Sequence, residues 1–215
     1  MIDCNICGGS KFAPGPFGRM SIGGLPPRCL GCGSLERHRI MRRAIEAFRD
    51  SDVFATFSLI RFSADPIVDP GWFKSSELST FEGENSLDIQ ALDRPDEAYD
   101  VVVCSHVIEH VADDRNALRE LLRIVSRRGF LILAYPRAEQ GGSTADWGYA
   151  DLARNFHYRG YGSDFDTVMS GLAVAAIGIE DADPVTGDCK RFNILSKSNA
   201  WSERILDRVA GAKRI

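Results

Sequence analysis

Two uninterrupted apolar runs constrain this sequence most: Asp100-Val-Val-Val-Cys-Ser105 and Gly129-Phe-Leu-Ile-Leu-Ala-Tyr135. Runs that do not alternate with polar residues fit strands covered on both faces, as in a parallel sheet. The stretch between them, from about 114 to 126, puts Leu118, Leu121, Leu122 and Val125 on one stripe. Asp113 or Asp114 caps its start and Arg127-Arg128-Gly129 closes it, so it reads as a helix. Strand, helix, strand in that order is a crossover unit with one preferred hand. Val53 to Phe62 reads as an earlier buried strand. Residues 173–179 and 191–196 read as a late antiparallel pair at a sheet edge, and 201–209 as a closing helix with Trp201, Ile205 and Val209 on one side. The expected class is α/β, a sheet with helices on both faces, with no internal repeat.

Composition narrows the partners. The chain has 215 residues, 44% of them hydrophobic, enough for one α/β core and a small appendage. A charged fraction of 26% and a net charge of -4 give no support for a nucleic-acid or membrane partner. No apolar run approaches the ~20 residues that span a bilayer. The start, Met1-Ile2-Asp3-Cys4, lacks the features of a signal peptide, so a cytoplasmic location is expected.

Four of the six cysteines form two Cys-x-x-Cys pairs, Cys4/Cys7 and Cys29/Cys32, while Cys104 and Cys189 stand alone. Two intervening residues let a tight turn aim both thiolates at one ion, and Gly8 and Gly33 free the backbone behind each pair. Between the pairs lie Pro14, Pro16, Gly18, Gly23, Gly24, Pro26 and Pro27, a loop or hairpin that cannot build its own core. Structural Zn2+ would supply the missing folding energy, in preference to two redox pairs. Residues 1–35 are thus expected to form a zinc-ribbon-like module and residues 36–215 the α/β domain, with a protein partner through the module as one option.

Ser34 offers an N-cap, with Glu36 in the first turn, for a helix running to about Phe48. Ile40, Met41, Ala44, Ile45 and Phe48 share a stripe, and Arg37, Arg39, Arg42 and Arg43 lie opposite. That basic face reads as solvated in preference to a seat for an anion or nucleic acid.

Ligands of open α/β sheets bind beyond the carboxyl ends of the strands. The loops there hold Ser63 and Asp65, Glu77, Asp88, the group His106, Glu109 and His110, and then Arg137 and Glu139. Such convergent polar groups suit a cofactor pocket. His106-Val-Ile-Glu-His110 also matches the His-x-x-Glu-His pattern of one metallopeptidase class. That chemistry needs the motif inside a helix, whereas here it directly follows a strand.

The run from Asp100 through His106-Val-Ile-Glu-His110 to Asp114, continued by Ala117 to Val125, closely resembles class I methyltransferases, with Gly129 opening the next strand. More narrowly, the chain resembles bacterial methyltransferases that open with two cysteine knuckles. The second knuckle runs into Gly33-Ser-Leu-Glu-Arg-His-Arg39, and His157-Tyr-Arg-Gly-Tyr-Gly-Ser-Asp164 precedes the last strands. The resemblance implies a Rossmann-like methyltransferase sheet, S-adenosylmethionine as cofactor, and methyl transfer to an acceptor that it does not identify, a small molecule or glycan being expected. It places Glu77 at the ribose hydroxyls, Asp88 and Ile89 at the adenine, Ser63 and Asp65 in the first loop, and Ser105 and His106 under the sulfonium. A carboxylate suits a vicinal diol because it accepts two hydrogen bonds. In place of a glycine-rich first loop the chain has Arg61-Phe-Ser-Ala-Asp-Pro66, as the narrower group also tends to.

If the acceptor is a hydroxyl, His106, Glu109, His110 and His157 are the general-base candidates, with His157 and Tyr161 on the substrate side. His110 equally suits bracing of the following helix. The competing reading keeps the fold without the chemistry: a zinc-bearing interaction module that holds no cofactor.

Overall fold

In this computed structural model, which describes residues 2–137 and 142–215, one sheet organises the chain. Its strands run in the order Ala212–Arg214 (β11), Ala175–Ala182 (β9), Cys189–Ser196 (β10), Val125–Ala134 (β6), Tyr99–Ser105 (β5), Ser58–Arg61 (β3) and Ser75–Leu78 (β4). β4, β3, β5 and β6 are parallel, in a register that sets Ile60 beside Val102 and Val102 beside Leu131. β10 runs antiparallel to β6 and to β9. From β3 the chain steps outward to β4 and returns across β3 to β5, so the order reverses between β3 and β5. A crevice is expected at the carboxyl ends there.

Pleating divides the sheet's side chains between two cores. Leu59, Val101, Val103, Phe130, Ile132, Phe192 and Ile194 pack with helix α1 (Glu36–Phe48), helix α2 (Ser51–Phe54) and helix α5 (Ser202–Arg208). Ile60, Val102, Cys104, Leu131 and Leu133 pack on the other face with helix α3 (Asp114–Ile124) and helix α4 (Asp164–Leu172). Helices therefore cover both faces, as the apolar runs require. Asp100 ties the amino ends of three strands, accepting from Ser58 N at 3.0 Å, Ser126 Oγ at 2.7 Å and Arg128 Nε at 2.7 Å. Gly129 is needed at this crossing because a Cβ there would lie 1.9 Å from the Asp100 carbonyl oxygen.

The structure corrects several boundaries. The expected strand 53–62 begins as α2, because the Asp50 carboxylate accepts from the Asp52 and Val53 amides and caps a short helix; the strand is only 58–61. Helix α3 stops at Ile124 and the chain enters β6 at once. The late strand pair is antiparallel, but β10 is interior and β11 occupies the edge. No helix among the described residues is long and apolar enough to cross a membrane.

The amino-terminal segment is folded onto this body. Strands Phe12–Ala13 (β1) and Arg28–Cys29 (β2) pair antiparallel and bring the two cysteine pairs together. Ser34 does not cap α1, as its buried hydroxyl lies 3.3 Å from both Cys4 Sγ and Cys32 Sγ; the Leu35 amide instead donates to His38 Nδ1 at 3.1 Å. Nor is the arginine face solvated. Arg39 is fully buried, bound in parallel to Asp183 by two 2.7 Å bonds, and it donates to the carbonyls of Pro27 at 2.9 Å and Ser34 at 3.1 Å.

Stranding that buried guanidinium is costly, so Asp183→Ala is expected to destabilise the chain by about 3–5 kcal/mol in urea unfolding. The double replacement Arg39→Met with Asp183→Leu should cost less than the single one. Equal losses would show that the pair does not carry this contact.

Candidate functional site

A cleft of about 900 Å³ opens where the carboxyl ends of β5 and β6 meet the start of β10. His106 after β5, Ala134, Tyr135, Pro136 and Arg137 at the end of β6, Lys190 and Arg191 of β10, and Arg19, Glu36 and Arg37 near the start of α1 line it. His106 turns the chain out of β5 through a left-handed conformation, φ 54°, that histidine tolerates better than most residues. Its amide donates to the Ala134 carbonyl at 2.8 Å, and its ring Nδ1 lies 3.1 Å from Glu109 Oε1, a carboxylate with no solvent exposure.

The cleft carries more cationic than anionic side chains. Arg19 is neutralised by two 2.8 Å bonds to Glu36, and Arg137 and Arg191 share the single carboxylate of Asp166, at 3.2 and 2.9 Å. Lys190 also lines the cleft, and the buried Nε atoms of Arg37 and Arg191 have no hydrogen-bond partner among the described residues. Burial pushes the Arg37 guanidinium below its ordinary pKa, and Asp65 is the carboxylate that acts on it most strongly.

Asp65 organises the first loop. Its Oδ2 accepts from Ser105 Oγ at 2.9 Å and Ser63 Oγ at 3.4 Å, and its Oδ1 lies 3.2 Å from His38 Nε2. Since His38 Nδ1 accepts from the Leu35 amide, the imidazole proton belongs on Nε2, facing the carboxylate. Burial pushes Asp65 up, but the bonds from His38 and Ser105 and the charge of Arg37 hold it well below the usual carboxylate range. Burial pushes His38 down despite Asp65. So Ser63, Asp65 and Ser105 are brought together, with a fourth member, His38, for which sequence reasoning had assigned no role. Its one signal was its place in the run Leu35-Glu-Arg-His-Arg39.

Glu77 and Asp88 do not line the cleft. Glu77 Oε1 accepts from Arg94 Nη2 at 2.5 Å and Asn85 Nδ2 at 2.8 Å, and Oε2 accepts from the Tyr99 hydroxyl. Asp88 is exposed and accepts from the Gln90 amide at 2.9 Å, while Ile89 is buried in the core. Of the three residues expected to converge, 77, 88 and 106, only His106 is among those that line this cleft. Neighbouring donors engage Glu77, which no sequence spacing announces. Tyr161 is likewise no substrate-side residue, being fully buried with its hydroxyl donating to the Ile108 carbonyl at 3.3 Å. Glu139 lies outside the described residues.

The other base candidates form a separate group. His110 is exposed, and its ring packs edge-on against His157 with centroids 4.7 Å apart. Burial pushes His157 below its ordinary pKa. Residues 108–110 form a single 3-10 turn, not an α-helix, which removes the metallopeptidase geometry.

Beside the start of α1 the four cysteine sulfurs lie within 4.8 Å of one another, with Cys4 Sγ 3.8 Å from Cys32 Sγ and Cys7 Sγ 3.5 Å from Cys29 Sγ. A tetrahedron of about 2.3 Å metal–sulfur bonds has edges of about 3.8 Å, so these thiols match a zinc-sized ion. Gly8 and Gly33, at φ 71° and 73°, turn the chain behind each pair as their spacing implied.

A family model described as a methyltransferase domain matches residues 75–133, from β4 to the end of β6. The fold is similar to that of the YcgJ protein of Bacillus subtilis, with TM-score 0.51 and 14% identity over 67% of this chain and 73% of that one. It is also similar to the Burkholderia thailandensis 1,6-didemethyltoxoflavin-N1-methyltransferase, solved with 1,6-didemethyltoxoflavin and S-adenosylhomocysteine, with TM-score 0.53 and 12% identity over 74% and 78%. No curated protein matches by sequence. The Rossmann-like methyltransferase sheet expected from the sequence is thus the fold observed.

Because Asp65 is held below its unfolded value of ~3.9, its stabilisation is present above that pH and is lost as pH falls through the folded value. Asp65→Asn is expected to lower stability by ~2 kcal/mol at pH 7 and to flatten the acid limb of a denaturant-midpoint profile. A parallel acid limb in the variant would remove Asp65 from that role.

Proposed function

We propose that this chain is an S-adenosylmethionine-dependent methyltransferase whose acceptor is a small anionic molecule bound in the basic cleft. The reading rests on one coincidence. The segment that matches the methyltransferase domain supplies β5 and His106 of the cleft, and β5 is one of the two strands, β3 and β5, between which the strand order reverses.

The cofactor's methionine end is a zwitterion, and the residues beside the first loop fit it. Arg37 carries a buried Nε with no partner among the described residues, and Asp65 is the carboxylate that acts on it most strongly. Arg37 would hold the carboxylate and Asp65 would face the ammonium group. When bound, the cofactor supplies a methyl group activated on sulfonium, and the protein's task is to orient a nucleophile towards it. His106 is the base candidate that faces the cleft, and buried Glu109 fixes its ring. Arg137, Lys190 and Arg191 would anchor an acidic group of the acceptor, a carboxylate or phosphate on a small molecule or glycan.

Zn2+ on Cys4, Cys7, Cys29 and Cys32 would be structural, since four thiolates complete a tetrahedron and leave no open position. It would hold the 1–35 module against the 36–215 domain, through the Arg39 contacts to Pro27 and Ser34. The module then supports α1, whose first turn bears Arg37 and His38. Chelator treatment is therefore expected to lower the melting temperature by more than 5 °C and to weaken cofactor binding with it. A melting temperature indifferent to chelation and to Cys7→Ser would leave the cysteines without a structural metal.

A second reading, a fold that holds no cofactor, draws on the engagement of both Glu77 oxygens by neighbouring donors. Calorimetric titration of S-adenosylhomocysteine separates the two. Micromolar binding at one site is expected, weakened about tenfold, or ~1.4 kcal/mol, by Arg37→Ala. Wild-type protein that binds none would leave the cofactor-free module as the function.

A further inference from the structure

We infer that Glu109, His110 and His157 form a second metal site, distinct from the four cysteines, that takes a borderline divalent cation such as Zn2+ or Co2+ and keeps a coordination position open. The inference goes beyond the methyltransferase reading and does not depend on it.

Three observations carry it. First, Glu109, His110 and His157 can each offer a ligand atom, and these atoms all lie within 4.8 Å of one another. Metal–ligand bonds of ~2.1 Å would bring them to about 3.4 Å apart. His110 is exposed and His157 half-buried, so rotation of the two imidazoles can close that difference. Second, Glu109 is fully buried, yet only one of its oxygens is satisfied. Oε1 lies 3.1 Å from His106 Nδ1, while Oε2 is buried without a partner among the described residues. A buried carboxylate oxygen with no donor is costly, and a cation is the partner that two adjoining imidazoles would help to hold.

Third, the ligand set is braced. His157 begins the strand His157–Gly160 (β8), which pairs with Ala145–Asp151 (β7). Side chains two apart on a strand share a face, so His157, Arg159 and Tyr161 point together. Arg159, 4% exposed, donates to the carbonyls of Val111 at 2.8 Å and Ala112 at 2.6 Å, and Tyr161 donates to that of Ile108. These bonds clamp both flanks of the turn that presents Glu109 and His110. The spacing His157-x-Arg159-x-Tyr161 thus acquires a physical reason: one residue binds the ion and two hold its other ligands in place.

Two imidazoles and a carboxylate suit Zn2+, Co2+ or Fe2+ better than Mg2+ or Ca2+, which prefer all-oxygen sites. Three protein ligands leave a fourth position for an oxygen donor, water or a group on the acceptor. His106 connects this site to the cleft, because it lines the cleft and bonds Glu109. The arrangement differs from the His-x-x-Glu-His metallopeptidase pattern, since His106 orients the carboxylate and the second imidazole comes from β8.

The test is metal counting on full-length protein stripped with chelator and reconstituted with Co2+ alone. Wild type is expected to bind two equivalents, one giving the intense absorption of a cobalt tetrathiolate and one a weak nitrogen–oxygen spectrum. Glu109→Gln, His157→Ala and His110→Ala should each reduce the count to one with the thiolate band intact. Cys7→Ser should remove the thiolate band and keep the weak one. His110 is exposed, so its variant is read even if the Glu109 variant unfolds. A wild type that binds one equivalent, or a His110 variant that keeps both, overturns the site. S-adenosylhomocysteine titration of the same samples reports the methyltransferase reading independently.

Discussion

The buried guanidinium of Arg39 joins the cysteine module, helix α1 and the region just beyond β9. It lies between the carbonyls of Pro27 and Ser34, at the cysteine module, and the carboxylate of Asp183, just beyond β9. Asp183 is itself satisfied by the amide and hydroxyl of Thr186, and the Arg39 carbonyl accepts from Asn5 at 3.0 Å. A charge removed from water is tolerable only when every donor is matched, and that requirement couples module, helix and sheet into one arrangement. Through it, the first turn of α1 is delivered to the carboxyl ends of the strands, so Glu36 and Arg37 reach the crevice.

The crevice itself follows from topology, but its character comes from uneven charge pairing. Asp166 serves both Arg137 and Arg191, Glu36 is bonded to Arg19, and Arg37 feels the field of Asp65, Glu36 and Glu109. A site short of carboxylates has electrostatic work left for a ligand to do. The loop after β3 is not glycine-rich and is organised by side chains instead: Ser63 and Ser105 bond to Asp65, and His38 Nε2 faces that carboxylate at 3.2 Å.

Much of the fold was legible because burial on both faces forces continuous apolar runs, and those runs survive in the one-dimensional record. β5, α3 and β6 were found this way, and of the two candidate caps, Asp113 and Asp114, the structure selects Asp113, which accepts from the Asn116 amide at 2.9 Å. The segment 53–62 was misread because a four-residue helix is decided by its cap, Asp50, more than by periodicity. The arginines of α1 were misread because period alone cannot tell a solvated face from one that meets another charged surface, here Asp183 and Asp181. Glu77 fell to a similar cause, since Arg94 and Tyr99 lie 17 and 22 positions away along the chain.

Spacing alone determined the cysteine pairs, the crossover unit and the presence of an imidazole and carboxylate at the end of β5, because each depends on neighbours within a turn or a strand. Tertiary structure alone decided which charges are neutralised, which oxygen of Glu109 is left without a partner, and that β8 sets a second imidazole beside it. Those outcomes turn on contacts between residues distant in sequence, with electrostatic energies that change steeply with burial and distance, and no local pattern encodes either quantity.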